Sequence, residues 1–111
     1  MLFDPKWEAP VTGKTPEPWR DALLKAAELI EQRGWCQDFL ENSRGQVCAL
    51  GAMDMLEHSM EFDWMRSLMA LEIEIGSASI ADWNDNPSRT QAEVLAAFRA
   101  AANSGQFDAA S

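Results

Sequence analysis

Histidine is nearly absent from this chain of 111 residues: His58 is the only one. Cysteine occurs twice, as Cys36 and Cys48, and tyrosine does not occur at all. Two cysteines with neither a CxxC spacing nor a histidine pair do not make a zinc site, so no metal and no cofactor is expected. HExxH and phosphate-cradling glycine loops are missing as well, which removes the commonest metalloprotease and nucleotide-binding signatures. The nine basic residues are scattered from Lys6 to Arg99 and are outnumbered by 18 acidic ones, for a net charge of −9. Phosphate contacts need clustered Lys and Arg, so direct nucleic-acid binding and docking to an anionic membrane are both disfavoured. No apolar run reaches the ~18 residues of a membrane span. Asp4 and Pro5 break the opening stretch too early for a signal region. The expected setting is the cytoplasm, with both cysteines as buried free thiols.

Apolar residues are plentiful at 47%, enough for one core in one domain. Residues 1–14, with Pro5, Pro10 and Gly13, read as an irregular arm. Residues 15–105 read as a helical domain, and 106–111 as a frayed tail. "KTPEPWRDALLKAAELIEQRG" repeats Trp19, Leu23, Ala26, Ala27 and Ile30 at helical spacing, with Thr15 as cap, Pro16 and Pro18 in the first turn and Gly34 as stop. Two apolar segments flank the polar cluster Asn42–Gly45, so a short β-hairpin is expected near 35–50. "CALGAMDMLEH" turns helical, and its small Gly51 and Ala52 invite close backbone approach, by the Ala-rich last helix in this reading. "EFDWMRSLMALEIEIG" carries Phe62, Met65, Met69 and Ile73 on one face and Trp64, Leu68, Leu71 and Ile75 on the next. A helix apolar over more than half its circumference is either central or part of an interface, and a homodimer through 60–75 is one expectation. "SASIADWNDNPSR" reads as a loop, and Thr90 with Glu93 as a capping box opening the last helix. The fold expected is mainly α, three to four helices with one short hairpin.

"DWNDNPSRTQAE" (82–93) matches a calcium loop in donor type at Asp82, Asn84, Asn86 and Glu93. Pro87 stands where that loop needs a glycine at positive φ, and Arg89 adds a positive charge, so a turn followed by a helix cap fits better. A Cys48–His58 pair would be about 15 Å apart along one helix, beyond proton-transfer reach. No catalytic residue is therefore assigned. Five tryptophans and a run of methionines from Met53 to Met69 suit a core or an adaptable binding surface.

Taken together, "RGWCQ" (33–37), "GQVCALGAM" (45–53), "WND" (83–85) and "TQAEVLAAFRAA" (90–101) resemble an uncharacterised family of small proteins of actinobacteria and their phages. The resemblance spans about residues 16–104 and carries no activity with it. It implies an actinobacterial or phage origin and, if phage-encoded, a host-cytoplasm setting. Physically, those stretches read first as a fold signature, in which Asn84 and Asp85 could bond the backbone of the hairpin. The candidate binding residues are Trp35, Gln37, Trp83, Asn84, Asp85, Trp64 and Met65. The leading expectation is a small acidic non-enzymatic protein-interaction module, a modulator of a host protein if the phage origin holds. The alternatives are a small enzyme using Cys48 or the Asp82/Asp85 loop, and an acidic nucleic-acid mimic.

Overall fold

The structure, a computed structural model, describes residues 18–59 and 64–104. The expected arm (1–14), the Thr15 cap, Pro16, Phe62 and the expected tail (106–111) lie outside the described residues. Five helices are described: α1 (Pro18–Arg33), α2 (Ala49–Ser59), α3 (Trp64–Ile75), α4 (Ile80–Asn84) and α5 (Gln91–Ala102).

Helix α1 is the hub. The residues that recur at helical spacing, Trp19, Leu23, Ala26, Ala27 and Ile30, are all buried, and α1 packs against α5, α2 and α3. It stops at Gly34, whose φ of +94° sits at little cost only on glycine. The Gly34 N–H returns to the Ile30 carbonyl at 2.8 Å. Val94, Phe98 and Ala101 of α5 and Ala70 and Leu71 of α3 complete the core with Met53 and Val47. Each large side chain fully buried here contributes about 1.5–3 kcal/mol relative to exposure. The alanines at the crossings let the helices approach closely.

Helix α5 begins with the expected capping box. Thr90 Oγ1 accepts from the Glu93 N–H at 3.2 Å, and Glu93 Oε1 accepts from the Thr90 N–H at 3.0 Å. Its last carbonyl, which a helix leaves without an internal partner, and that of Ser104 just beyond it find a donor far away in sequence. Arg20 Nη1 reaches Ala102 O and Ser104 O, each at 2.7 Å. Helix α3 is tied to α2 by Trp64 Nε1, which donates to Met53 O at 2.8 Å.

The expected β-hairpin is not formed, and no sheet exists among the described residues. The turn itself is present. Asn42 Oδ1 accepts from the Arg44 and Gln46 N–H groups, an Asx-type arrangement. Gly45 takes φ +82°. Beyond the turn, pairing stops at single bridges, Glu41 with Val47 antiparallel and Trp35 with Val47 parallel. The ladder is broken where Asn84 Nδ2 takes Cys36 O and Asp85 Oδ1 takes the Asp38 N–H. The loop expected over 77–89 is corrected in part, because Ile80–Asn84 form the short α4, capped by Ser79 Oγ on the Asp82 N–H. The close approach at Gly51 is made by the backbone of Leu40 rather than by the last helix.

Candidate functional site

Helix α4 is only five residues long, so its sequence shows no helical period. Its role is positional: it delivers Trp83, Asn84 and Asp85 beneath the 35–41 segment. Asn84 is fully buried. Its Oδ1 accepts from Trp35 Nε1 at 2.7 Å and from the Ala49 N–H at 3.0 Å. Its Nδ2 donates to Cys36 O at 3.1 Å and to Asp85 Oδ1 at 3.0 Å. A buried amide with both donors and both acceptor sites engaged has no capacity left for a ligand.

Asp85 Oδ1 also accepts the Asp38 N–H at 2.9 Å. Gln37 Nε2 donates to Asn84 O at 3.0 Å and Asn86 O at 2.8 Å. Four of the candidate residues, Trp35, Gln37, Asn84 and Asp85, thus meet in one polar network that joins segments 47–49 residues apart. Trp83 lies at its edge. The Arg89 guanidinium stacks over that indole at 4.1 Å, and Arg89 Nε donates to Trp83 O at 3.0 Å, a cation–π contact backed by a hydrogen bond. Trp64 and Met65 lie elsewhere, on α3. The four donors matched to a calcium loop do not converge: Asn84 points inward, Asn86 Oδ1 takes the Ser88 N–H, Glu93 serves the cap, and Asp82 is exposed. Among the described residues no group of three or more His, Cys, Asp or Glu could hold a metal ion.

The network also starts α2, which has no Ser, Thr, Asp or Asn as cap. The first N–H groups of a helix need outside acceptors. Asn84 Oδ1 satisfies that of Ala49, and Cys48 Sγ accepts the Gly51 N–H at 3.2 Å. Cys36 Sγ donates toward Gln46 O at 3.3 Å and Phe39 O at 3.4 Å. Both thiols are free and buried. Burial is the main cause that pushes both of them above the ordinary value of 9.0, and for Cys36 the neighbouring Cys48 adds to it. A thiol held protonated is a poor nucleophile. Native protein at pH 8 is therefore expected to react with a disulfide reagent at least a hundredfold more slowly than protein unfolded in guanidinium, where two thiols titrate; equal rates would place the sulfurs in solvent. The raised values also fix a sign. The folded state holds these protons where the unfolded state loses them. The contribution to stability is full below the ordinary thiol range and is lost as pH rises from 9.0 through the raised folded values.

Six large apolar side chains among the described residues are exposed. Met65 (61%), Met69 (46%) and Ile73 (57%) form an i, i+4, i+8 stripe on α3. Phe39 (62%) and Leu40 (49%) are neighbours on the 37–41 loop, and Leu24 lies on α1. The two faces read for α3 thus divide: Ala70, Leu71 and Ser67 go into the core, Trp64, Leu68 and Ile75 are half-buried, and the Met65 stripe faces out. Phe39 and Leu40 are not among the residues that sequence reasoning singles out. In a strand one of two adjacent apolar residues would face inward, and only the loop geometry exposes both.

A family model, described as a family of unknown function (DUF6197), matches residues 14–104. The chain belongs to that family. No curated protein and no solved structure matches it.

Proposed function

We propose that this protein is a small acidic non-enzymatic interaction module that engages other proteins through the outer face of α3. The observation that carries the reading is the exposed Met65, Met69 and Ile73 stripe. Helix α3 already contributes Ala70 and Leu71 to the core, so this second apolar face stabilises nothing within the described chain. Methionine suits such a face because its flexible thioether adapts to the contour of a partner. The resemblance to actinobacterial and phage proteins supports a host protein as that partner. No helix among the described residues is long and apolar enough to cross a membrane.

The enzyme alternative finds less support. Cys48 is buried, with its sulfur accepting a backbone N–H, and Asp85 is occupied by the Asp38 N–H and the Asn84 amide. The nucleic-acid mimic needs an unbroken row of acids. Glu28, Glu31, Glu41 and Glu93 are instead ion-paired with Lys25, Arg99, Arg33 and Arg89.

Light scattering on the eluting protein across a hundredfold concentration range tests self-association through α3. A concentration-dependent rise in mass is expected, abolished by Met65→Lys, Met69→Lys and Ile73→Lys together. Unfolding of that variant should shift by less than about 1.5 kcal/mol, because exposed sites away from special features change stability by about 0.5 kcal/mol or less each. A strictly monomeric wild type removes the homodimer. If a pull-down from actinobacterial lysate then returns no stoichiometric partner, the interaction reading falls with it.

A further inference from the structure

We propose that Phe39 and Leu40 form a preformed hydrophobic plug, a second contact site distinct from α3, which inserts into an apolar cleft of a protein partner whose rim carries Lys or Arg. The inference rests on the interaction-module reading and adds to it a site and a partner chemistry.

Three observations carry it. The first is the conformation of Asp38, whose φ of +75° makes it the one non-glycine residue in the left-handed region among those described. This conformation costs an ordinary residue roughly 1–2 kcal/mol and persists only where the surroundings over-determine it. Its effect is to turn the chain so that Phe39 and Leu40 both face solvent.

The second is how completely the tip is held from behind. The Cys36 N–H bonds to Val47 O at 3.1 Å, and Cys36 O accepts from Asn84 Nδ2. The Asp38 N–H is taken by Asp85, Phe39 O receives the Cys36 thiol, and Leu40 O accepts the Cys48 N–H at 3.1 Å. Gln37 clamps the base of the loop to Asn84 O and Asn86 O. Ordering a loop is a major cost of binding, and here folding has already met that cost. Aromatic side chains, Phe among them, are enriched at the core of protein interfaces.

The third is charge. The tip is bordered by Asp38, exposed and in no ion pair with the described residues, and by Glu41, which is paired with Arg33. The whole chain carries −9. A second copy would bring the same acidic border against itself, whereas a cleft rimmed by Lys or Arg is complementary and would be approached faster at low salt.

The test places a photo-crosslinking phenylalanine analogue at position 39, at position 69, and at the exposed Ala92 as background, in lysate of the cells that encode the chain. The plug predicts one dominant crosslinked protein from position 39, joined at an apolar site beside a basic residue. With that purified partner, Phe39→Ser with Leu40→Ser should weaken binding at least tenfold while the melting temperature stays within a few degrees. Asp38→Gly keeps the left-handed backbone and removes the carboxylate, so it should slow association severalfold at low salt and not at high salt. Crosslinking from 39 no stronger than from 92, unchanged affinity of the double variant, or a partner site without basic residues each overturns the plug. If position 69 crosslinks and position 39 does not, the plug fails and the interaction reading stands; if neither does, both fail.

Discussion

Asn84→Ala is expected to cost about 3–5 kcal/mol and to lower the melting temperature by roughly 15 °C or more. The substitution leaves Trp35 Nε1 and the Ala49 N–H without their acceptor and Cys36 O without its donor. A buried polar group stripped of its partner costs about 1–3 kcal/mol, and the void left by the side chain adds to that. For a domain of this size each kcal/mol moves the midpoint by roughly 4–8 °C. With a total stability typically of about 5–15 kcal/mol, the variant is marginal near body temperature. Asn84→Asp should be at least as damaging, because a carboxylate would face Cys36 O and the Asp85 carboxylate with no donor of its own. Urea unfolding followed by circular dichroism gives the number. Hydrogen exchange gives the location, with the Asp38 and Ala49 amides losing protection first. A loss below about 1 kcal/mol, the size of an ordinary exposed hydrogen bond, would show that the network is incidental to the fold.

Gly51→Ala should be comparably severe for a different reason. A Cβ at position 51 would lie 2.7 Å from the carbonyl carbon of Leu40, 3.1 Å from its Cα, and closer still to its oxygen. That oxygen is fixed by the Cys48 N–H at 3.1 Å, so the backbone cannot retreat without losing the bond. Overpacking of this kind costs about 1–3 kcal/mol when side chains can move and more when they cannot; about 3 kcal/mol or more is expected here, despite the higher helix propensity of alanine. Gly76→Ala is the control. Nothing lies within 4 Å of a Cβ there, and φ is +70°. The cost is confined to holding that angle, roughly 1–2 kcal/mol. If the two variants unfold at the same urea concentration, the close approach of Leu40 to α2 is wrong.

These two positions also show where reading the sequence succeeds and where it stops. The Thr90–Glu93 capping box and the Gly34 stop are local, decided within four residues, and both stand in the structure. The buried face of α1 follows from a period that needs no partner to be recognised. The hairpin fails because the competitors for its backbone groups, Asn84 Nδ2 on Cys36 O and Asp85 Oδ1 on the Asp38 N–H, are side chains 48 and 47 residues away, and strand propensity has no means of weighing Asn84 against a cross-strand neighbour. The role of Asn84 and Asp85 as backbone partners was legible in residue type; the segment they hold is an irregular loop rather than a strand pair. The open face of α3 was legible as an excess of apolar circumference. The exposure of Phe39 was not, since it depends on one left-handed residue whose conformation is imposed from outside the segment.

The polar network has a further consequence, for the order in which the chain can acquire its shape. Three backbone groups of residues 35–41 and the first turn of α2, Cys36 O and the N–H groups of Asp38 and Ala49, are satisfied by side chains specified 35–48 positions later. Closing a loop of that length costs roughly 3 kcal/mol in chain entropy, plus a constant. The closure is returned only when Trp83, Asn84 and Asp85 are present together. A chain growing from its N-terminus can form α1 early. It must carry the 35–49 segment unfinished until residue 85 has been made, when most of the molecule already exists. Until then the apolar pair Phe39–Leu40 lies on a stretch that lacks its Asn84 and Asp85 bonds, open to any chaperone that reads exposed hydrophobic residues.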